Sequence, residues 1–376
     1  MRGGREKTKW DSKNCLSETE LPSLTQFNRY NTHMKILFVG GGSVGHLAPS
    51  VAVFRELKRV EPLADALFVC TEKPGDQEFL SKEGVPFETL PLLGRSLALP
   101  WSFVRAVRKS KRILKRHRPD VVFSKGGSTS IPLCCAAKRR RIPIVLHESD
   151  AVAGYASRLI ARLANKICTG FPHAIEGGEH TGNPVRPDVT RGSREKGLSF
   201  ARLSGKKPVL LVLGGSQGAE ALNGVTRELL PQILNICDVI HLTGAGKEGA
   251  PPRPGYYAFP FAYTELPHLY AAATIALSRS GAGALSELAA NGIPTILCPL
   301  RFVAQDHQRE NATEASARGG CVVLEQSDLK ETLLSTIRSM LEDDKHALMA
   351  SAFRSFAKPE AAGKIASLLQ TVATRK

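Results

Sequence analysis

Residues 35–46 read KILFVGGGSVGH: five strand-forming residues, Lys35 to Val39, run without a break into three glycines and a short turn. The arrangement recurs at 208–218, where Pro208-Val-Leu-Leu-Val-Leu213 runs into GGSQG at 214–218. A strand that ends in glycines and opens a helix presents backbone N–H groups without partners, together with the positive end of the helix dipole. Such a mouth attracts an anion. Two of them, one in each half of the chain, predict a cleft between two lobes with a phosphorylated ligand held across it.

Working outward, strand-like runs at 66–70, 121–123, 144–146, 166–169, 239–242, 275–277 and 295–298 alternate with helical periodicity, for example at 49–58, 153–163 and 285–290. The pattern predicts an α/β fold of parallel sheets wrapped by helices. Glycine and proline in Thr181-Gly182-Asn183-Pro184-Val185-Arg186 interrupt it, and a second βα series starts after the polar stretch 190–207. The expected division is therefore a first domain over 34–185, a second over 186–350, and a helical segment over 351–376 able to pack back on the first. Residues 1–33 are polar and without periodicity, as expected of a flexible leader or of a start assigned upstream of a functional Met34.

The 376 residues, 42% of them hydrophobic, suffice for two cores. Eight cysteines show no C-x-x-C spacing and mostly sit in apolar runs such as Phe68-Val69-Cys70. They read as buried thiols of a reducing compartment, not as a disulfide framework or a zinc site. No apolar run approaches the roughly 18 residues of a spanning helix, and no secretory segment opens the chain, so a soluble intracellular protein is expected. The net charge of +16 is concentrated: nine Lys or Arg and no acid lie between Arg95 and Arg118, and Lys138 to Arg141 adds four more. Leu97, Leu99, Trp101, Phe103 and Val104 stand beside them. An apolar group followed by a basic helix suits anionic lipid headgroups, and a solvated helix face accounts for the same residues. A nucleic-acid surface ranks lower, because the run has no aromatic stacking platform and no recognisable nucleic-acid module.

The first glycine turn fails the dinucleotide test, since its second strand ends Val69-Cys70-Thr71-Glu72 without a good ribose-binding acid, and neither turn has the lysine and hydroxyl of a P-loop. More specific is Ser278-Arg-Ser-Gly-Ala-Gly-Ala-Leu-Ser-Glu287. There a strand, a glycine turn and a helix start offer N–H groups to a diphosphate, and Glu287, about one turn into the helix, can accept both hydroxyls of a ribose. Gln305-Asp306-His307-Gln308 and Asn311 follow the strand ending at Pro299, where sugar hydroxyls can be read. Taken singly, Glu287 is more often an exposed helix residue, and Gln308 more often a loop amide.

In combination the motifs resemble a known family. GGGSVGH at 40–46 with Pro49, HES at 147–149 with Gly154, GNPVR at 182–186, GGSQG at 214–218 with Asn223, SRSGAGALSE at 278–287, and DHQ at 306–308 with Asn311-Ala312 resemble MurG, the peptidoglycan N-acetylglucosaminyltransferases. The resemblance runs in order from Met34 to about Arg318. It implies a GT-B architecture: two Rossmann-like domains with parallel sheets facing across an interdomain cleft. The implied reaction is inverting transfer of N-acetylglucosamine from UDP-N-acetylglucosamine to the 4-hydroxyl of the muramyl sugar of undecaprenyl-pyrophosphoryl-MurNAc-pentapeptide, converting lipid I to lipid II. The implied place is the cytoplasmic face of the cell membrane, peripherally bound at the inner leaflet, beside the cell-wall machinery of growth and division.

Carried over by position, Ser43, Val44 and Gly45 line the sugar and phosphate end of the donor site, and Arg186 and Ser216 contact the donor phosphates. Ala282, Gly283, Ala284, Leu285, Ser286 and Glu287 hold the nucleotide, with Glu287 on the ribose; the uracil falls near Phe261 to Tyr263; Gln308 bonds the transferred sugar. His46 is the expected general base, an imidazole that titrates near neutrality, with Asp150 and Glu148 as substitutes. No Asp-x-Asp metal motif occurs, so metal-independent chemistry without a cofactor is expected. Val44 stands where the family usually has glycine and Asp150 where it commonly has asparagine, which predicts a stiffer first turn and altered donor contacts. The alternatives are a diacylglycerol glycosyltransferase, a UDP-N-acetylglucosamine 2-epimerase, or a binding protein that has kept the cleft without turnover.

Overall fold

The run at 35–39 forms β1 (Lys35–Val39), whose side chains alternate between two cores, Ile36 and Phe38 in one and Leu37 and Val39 in the other. The computed structural model describes residues 33–91, 99–215, 218–300 and 306–374. Residues 1–32 of the expected leader over 1–33, and Arg95, Leu97, Ser216 and Gln305 among the residues singled out above, lie outside the described residues.

In the first lobe β1 is joined by β2 (Asp65–Thr71), β3 (Phe87–Leu90), β4 (Val121–Ser124), β5 (Ile144–Glu148), β6 (Lys166–Thr169) and β7 (Glu179–His180). The connecting helices are α1 (Val44–Val60), α2 (Pro74–Lys82), α3 (Leu99–His117), α4 (Ser130–Arg139) and α5 (Tyr155–Ala161). All strands pair in parallel, in the order β3-β2-β1-β4-β5-β6-β7. Phe38 anchors the middle, stacked on Phe68 at 4.8 Å and meeting Phe54 and Phe123 edge-on. Truncating so enclosed a ring to alanine costs about 3–5 kcal/mol.

The second lobe begins with α6 (Arg194–Phe200) and β8 (Val209–Leu213), followed by α7 (Glu220–Ile236), β9 (Asp238–Leu242), β10 (Tyr256–Phe259), α8 (Leu266–Ala272) and β11 (Ile275–Ser278). It continues through α9 (Ala282–Asn291), β12 (Thr295–Leu297), α10 (His307–Ser316), β13 (Cys321–Val323), α11 (Leu329–Met340) and α12 (Asp343–Phe356). Its parallel sheet runs β10-β9-β8-β11-β12-β13. The two sheets share one rule: the first strand of the lobe is central, the next two lie to one side, and the rest lie to the other. Winding reverses between β1 and β4 and between β8 and β11, and sheets of this kind bind ligands beyond the carboxyl ends of the strands at that reversal.

The chain crosses between lobes twice. The short helical turn Pro187–Thr190 follows the first crossing. The last helix, α13 (Ala361–Ala373), returns to the first lobe and adds Ile365, Ala366, Leu369 and Val372 to the core around Phe38. Helix α12 stays with the second lobe through Met349 and Phe353.

Candidate active site

Helices α1 and α9 start in the same way. Their N-cap residues, Ser43 and Gly281, are extended and make no side-chain capping bond, and neither helix carries an acid in its first turn. No side-chain cap or first-turn acid offsets the positive dipole ends, although the His46 N–H bonds the Ser43 carbonyl at 3.1 Å. The two starts face each other across the lobes: a Cβ placed on Gly283 would lie 3.8 Å from the Cα of Gly45. The mouth opposite GGGSVGH is thus the one at 281–284, whereas the turn at 214–218 contributes Gly215 to the wall.

The first turn is held from below by Asp76, a buried carboxylate that accepts from the Gly42 N–H at 2.7 Å and from Thr71 Oγ1 at 2.6 Å. Gly42 has a φ of 97°, and a Cβ on Gly41 would sit 2.9 Å from the Thr71 nitrogen. Val44, by contrast, is the first residue of α1, with an ordinary negative φ. The stiffening expected from valine there does not arise, because the glycine-only conformations fall two and three residues earlier.

Between the lobes lies a cavity of about 360 Å³. Ser43, Val44, Gly45, His46, Glu148 and Asp150 line it from the first lobe, and Arg186 lines it at the crossing. Ala282, Gly283, Ala284, Glu287 and Gln308 line it from the second, together with Phe261, Ala262 and Tyr263. Two expected contacts are not brought to it. Leu285 is wholly buried in the second core, its N–H closing the first helical turn on the Gly281 carbonyl at 3.0 Å. Ser286 Oγ donates to the Ala282 carbonyl at 2.7 Å. Asn311, read from sequence beside the sugar, is also wholly buried and bonds across the lobes instead, donating to Asp150 Oδ1 at 2.8 Å.

His46 sits in the first turn of α1, and its Nδ1 is buried without a hydrogen-bond partner among the described residues. Burial, and then the nearby Lys125 ammonium, hold its pKa below 6.5, so the imidazole is neutral at neutral pH and able to accept a proton. Glu287 Oε2 accepts from the Tyr270 hydroxyl at 2.8 Å. Burial raises its pKa, against the pull of Arg186. Arg186, 5% exposed, donates to Glu83 Oε1 at 3.0 Å and lies 5.5 Å from the Tyr263 ring centroid. Burial works against its charge, but Glu287, Asp188 and Glu83 outweigh that and raise its pKa. Gln308 Oε1 accepts from the Leu300 N–H at 3.0 Å, which orients the amide at the cavity wall.

Lys125 is a charged cavity residue that sequence reasoning passed over, as it did Phe79 and Tyr270. It is 3% exposed, and its ammonium donates to His147 Nδ1 and to Ser149 Oγ, two uncharged acceptors. His147 Nε2 lies 3.0 Å from the Gly182 carbonyl and donates to it, which leaves Nδ1 as the acceptor. Burial brings the Lys125 pKa down to about 8. The signal was available: Ser124-Lys125-Gly126-Gly127 is a third strand running into glycines, both of them at positive φ. Together with Gly182 and Asn183, whose Nδ2 donates to the Ser149 carbonyl at 3.0 Å, His147 holds the wall in shape.

The glycosyltransferase family 28 N-terminal domain matches residues 36–169, and the family 28 C-terminal domain matches residues 209–365. A Listeria welshimeri protein is 35% identical over 356 residues, covering 88% of this chain and 98% of its own length. It is named "UDP-N-acetylglucosamine--N-acetylmuramyl-(pentapeptide) pyrophosphoryl-undecaprenol N-acetylglucosamine transferase". A Lachnoclostridium phytofermentans protein of the same name is 35% identical over 354 residues, covering 90% of this chain and 99% of its own. Among solved structures, MurG of Acinetobacter baumannii superposes with a TM-score of 0.71 at 24% identity, covering 90% of this chain and all of that one. The architecture is GT-B. With likeness of that order along nearly its whole length, and two uncapped helix starts meeting over a shared cavity, the chain belongs to the MurG family of glycosyltransferases.

Proposed function

We propose that the chain transfers N-acetylglucosamine from UDP-N-acetylglucosamine to the 4-hydroxyl of the muramyl sugar of undecaprenyl-pyrophosphoryl-MurNAc-pentapeptide, inverting the anomeric carbon and turning lipid I into lipid II. The observation that carries this reading is the approach of α1 and α9, whose starts, without side-chain caps or first-turn acids, meet at Gly45 and Gly283. A diphosphate placed there is met by two dipole ends at once. Glu287 then takes the ribose hydroxyls, Phe261 to Tyr263 flank the uracil, Arg186 and Ser216 serve the phosphates, and Gln308 bonds the sugar.

In this reading neutral His46 takes the proton of the acceptor hydroxyl as the new glycosidic C–O bond forms and the bond from the anomeric carbon to the diphosphate oxygen breaks. UDP departs with the bonding electron pair. Arg186, Lys125 and the two helix starts meet the negative charge that develops on it.

Among the described residues no helix is long and apolar enough to cross a membrane. Helix α3 exposes Trp101 by 76% and also Val104, followed by exposed Arg105, Arg108, Lys111, Arg112, Lys115 and Arg116. It packs against α4, whose end carries exposed Lys138 to Arg141. An apolar tip backed by cations on neighbouring helices supports peripheral docking on the anionic inner leaflet, where the lipid acceptor resides. Beside that acceptor the chain would serve the machinery of wall growth and division.

The test is incubation of the purified chain with UDP-N-acetylglucosamine and a short-chain lipid I analogue, with the disaccharide product read by mass. Sugar release or epimerisation without acceptor, or transfer to diacylglycerol alone, would replace this reading by one of the alternatives.

A further inference from the structure

We propose that Asn311 and Asp150 form a latch between the lobes that positions them for transfer, so that Asp150 acts through Asn311 and not as a ligand of the substrate. The activity part of this inference rests on the transferase reading above; the structural part does not. Asn311 belongs to α10 in the second lobe and is wholly buried. Its Oδ1 accepts from the Ala151 N–H at 2.7 Å, and its Nδ2 donates both to Asp150 Oδ1 at 2.8 Å and to the Ser280 carbonyl at 3.0 Å. One amide thus ties the loop after β5 in the first lobe to the turn that opens α9 in the second.

Each end of the tie is itself braced. On the first lobe, the Asp150 N–H bonds Glu148 Oε1 at 3.0 Å, and the Ser149 carbonyl accepts from Asn183 at the crossing. On the second, Ser280 Oγ donates to the Gln308 carbonyl at 2.6 Å, one residue before the glycine that caps α9. The latch therefore reaches, through short rigid links, both the α9 start that faces Gly45 and the residue placed on the transferred sugar. Its chemistry is directional. The Ala151 N–H demands the amide oxygen, which turns the NH2 group toward residue 150, and a carboxylate there can only accept. A buried hydrogen bond between an amide and an ionised carboxylate is among the stronger kinds.

The experiment uses the full chain in four forms: wild type, Asn311→Asp, Asp150→Asn, and the double exchange. Asn311→Asp sets two carboxylates face to face, and kcat is expected to fall about tenfold or more with a smaller change in the donor KM. Asp150→Asn alone should cost no more than about threefold; the double exchange restores a donor–acceptor pair between 150 and 311 but leaves the Ser280 carbonyl facing a carboxylate, so kcat should recover only in part, by about threefold or more over Asn311→Asp alone. Urea midpoints of the same four proteins should show coupling of the same sign. Additive losses without rescue in both readouts would overturn the latch, and so would an Asp150→Ala protein whose KM for either substrate rises while kcat is unchanged. If Asn311→Asp does not fold, the Asn311→Ala and Asp150→Ala cycle supplies the coupling. A wild type that transfers no sugar would overturn the transferase reading, whereas the urea cycle would still decide the latch.

Discussion

Lys125→Met offers the sharpest check on the electrostatics of the cleft. The ammonium is 3% exposed, rests on two neutral acceptors, and has its pKa lowered by burial from 10.5 to about 8. Kept ionised in the fold, it costs about 3 kcal/mol relative to the unfolded chain. The sign follows from proton counts. Between pH 8 and 10.5 the unfolded chain binds more protons than the folded one, so wild-type stability rises with pH across that window. The penalty is in full force near pH 7, and about 2 kcal/mol of it has been relieved by about pH 9.5. Methionine removes the penalty and also the hydrogen bond to His147, and these changes offset each other at any single pH. The decisive quantity is how the mutant-minus-wild-type difference in unfolding free energy moves with pH. In urea denaturation it should shift by about 2 kcal/mol against the mutant between about pH 7 and about pH 9.5, since burial still disfavours the charged forms of His46 and His147 when Lys125 is gone. Turnover should fall at least about tenfold, because a cation is lost beside the departing diphosphate. A stability difference constant to within about 0.5 kcal/mol across that range would refute the reasoning.

His46→Ala should lower kcat by about a hundredfold. In the wild type the acid limb of kcat/KM should have its midpoint below 6.5, because burial and Lys125 disfavour the imidazolium that cannot act as a base; a limb above that value would contradict the assignment. Glu287→Ala should raise the donor KM about tenfold, the loss of roughly one well-made hydrogen bond to a charged group. An unchanged donor KM would place the ribose elsewhere. Trp101→Ala combined with Arg105→Glu and Arg108→Glu should weaken sedimentation with anionic vesicles at least about tenfold, since each basic residue near such a surface contributes about 1 kcal/mol. Turnover of a water-soluble acceptor should stay as it was, and vesicle binding equal to wild type would dismiss α3 as the docking face.

The strands legible from sequence are the interior ones. β1, β6 and β8 coincide with their apolar runs, and β2, β4, β5, β9, β11 and β12 agree to within one or two residues. β3, β7, β10 and β13 had no counterpart in that reading, and they are the four outer strands of the two sheets. An interior strand is buried on both faces and reads as an unbroken apolar run. An outer strand such as Phe87-Glu88-Thr89-Leu90 or Glu179-His180 is partly exposed, so its composition does not separate it from a loop.

The sequence by itself determined the two-lobed α/β plan and the glycine mouths, because these follow from local backbone chemistry: a buried strand, a turn that only glycine can make, and a helix start without a cap. Only the tertiary structure decided which mouths oppose each other, that Lys125 is buried on His147, and that Asn311 spends its amide on Asp150, Ala151 and Ser280. Each of those facts joins residues from different strands or different lobes. Their chemistry depends on desolvation and on distances of about 3 Å, which residue identity and spacing along the chain do not carry.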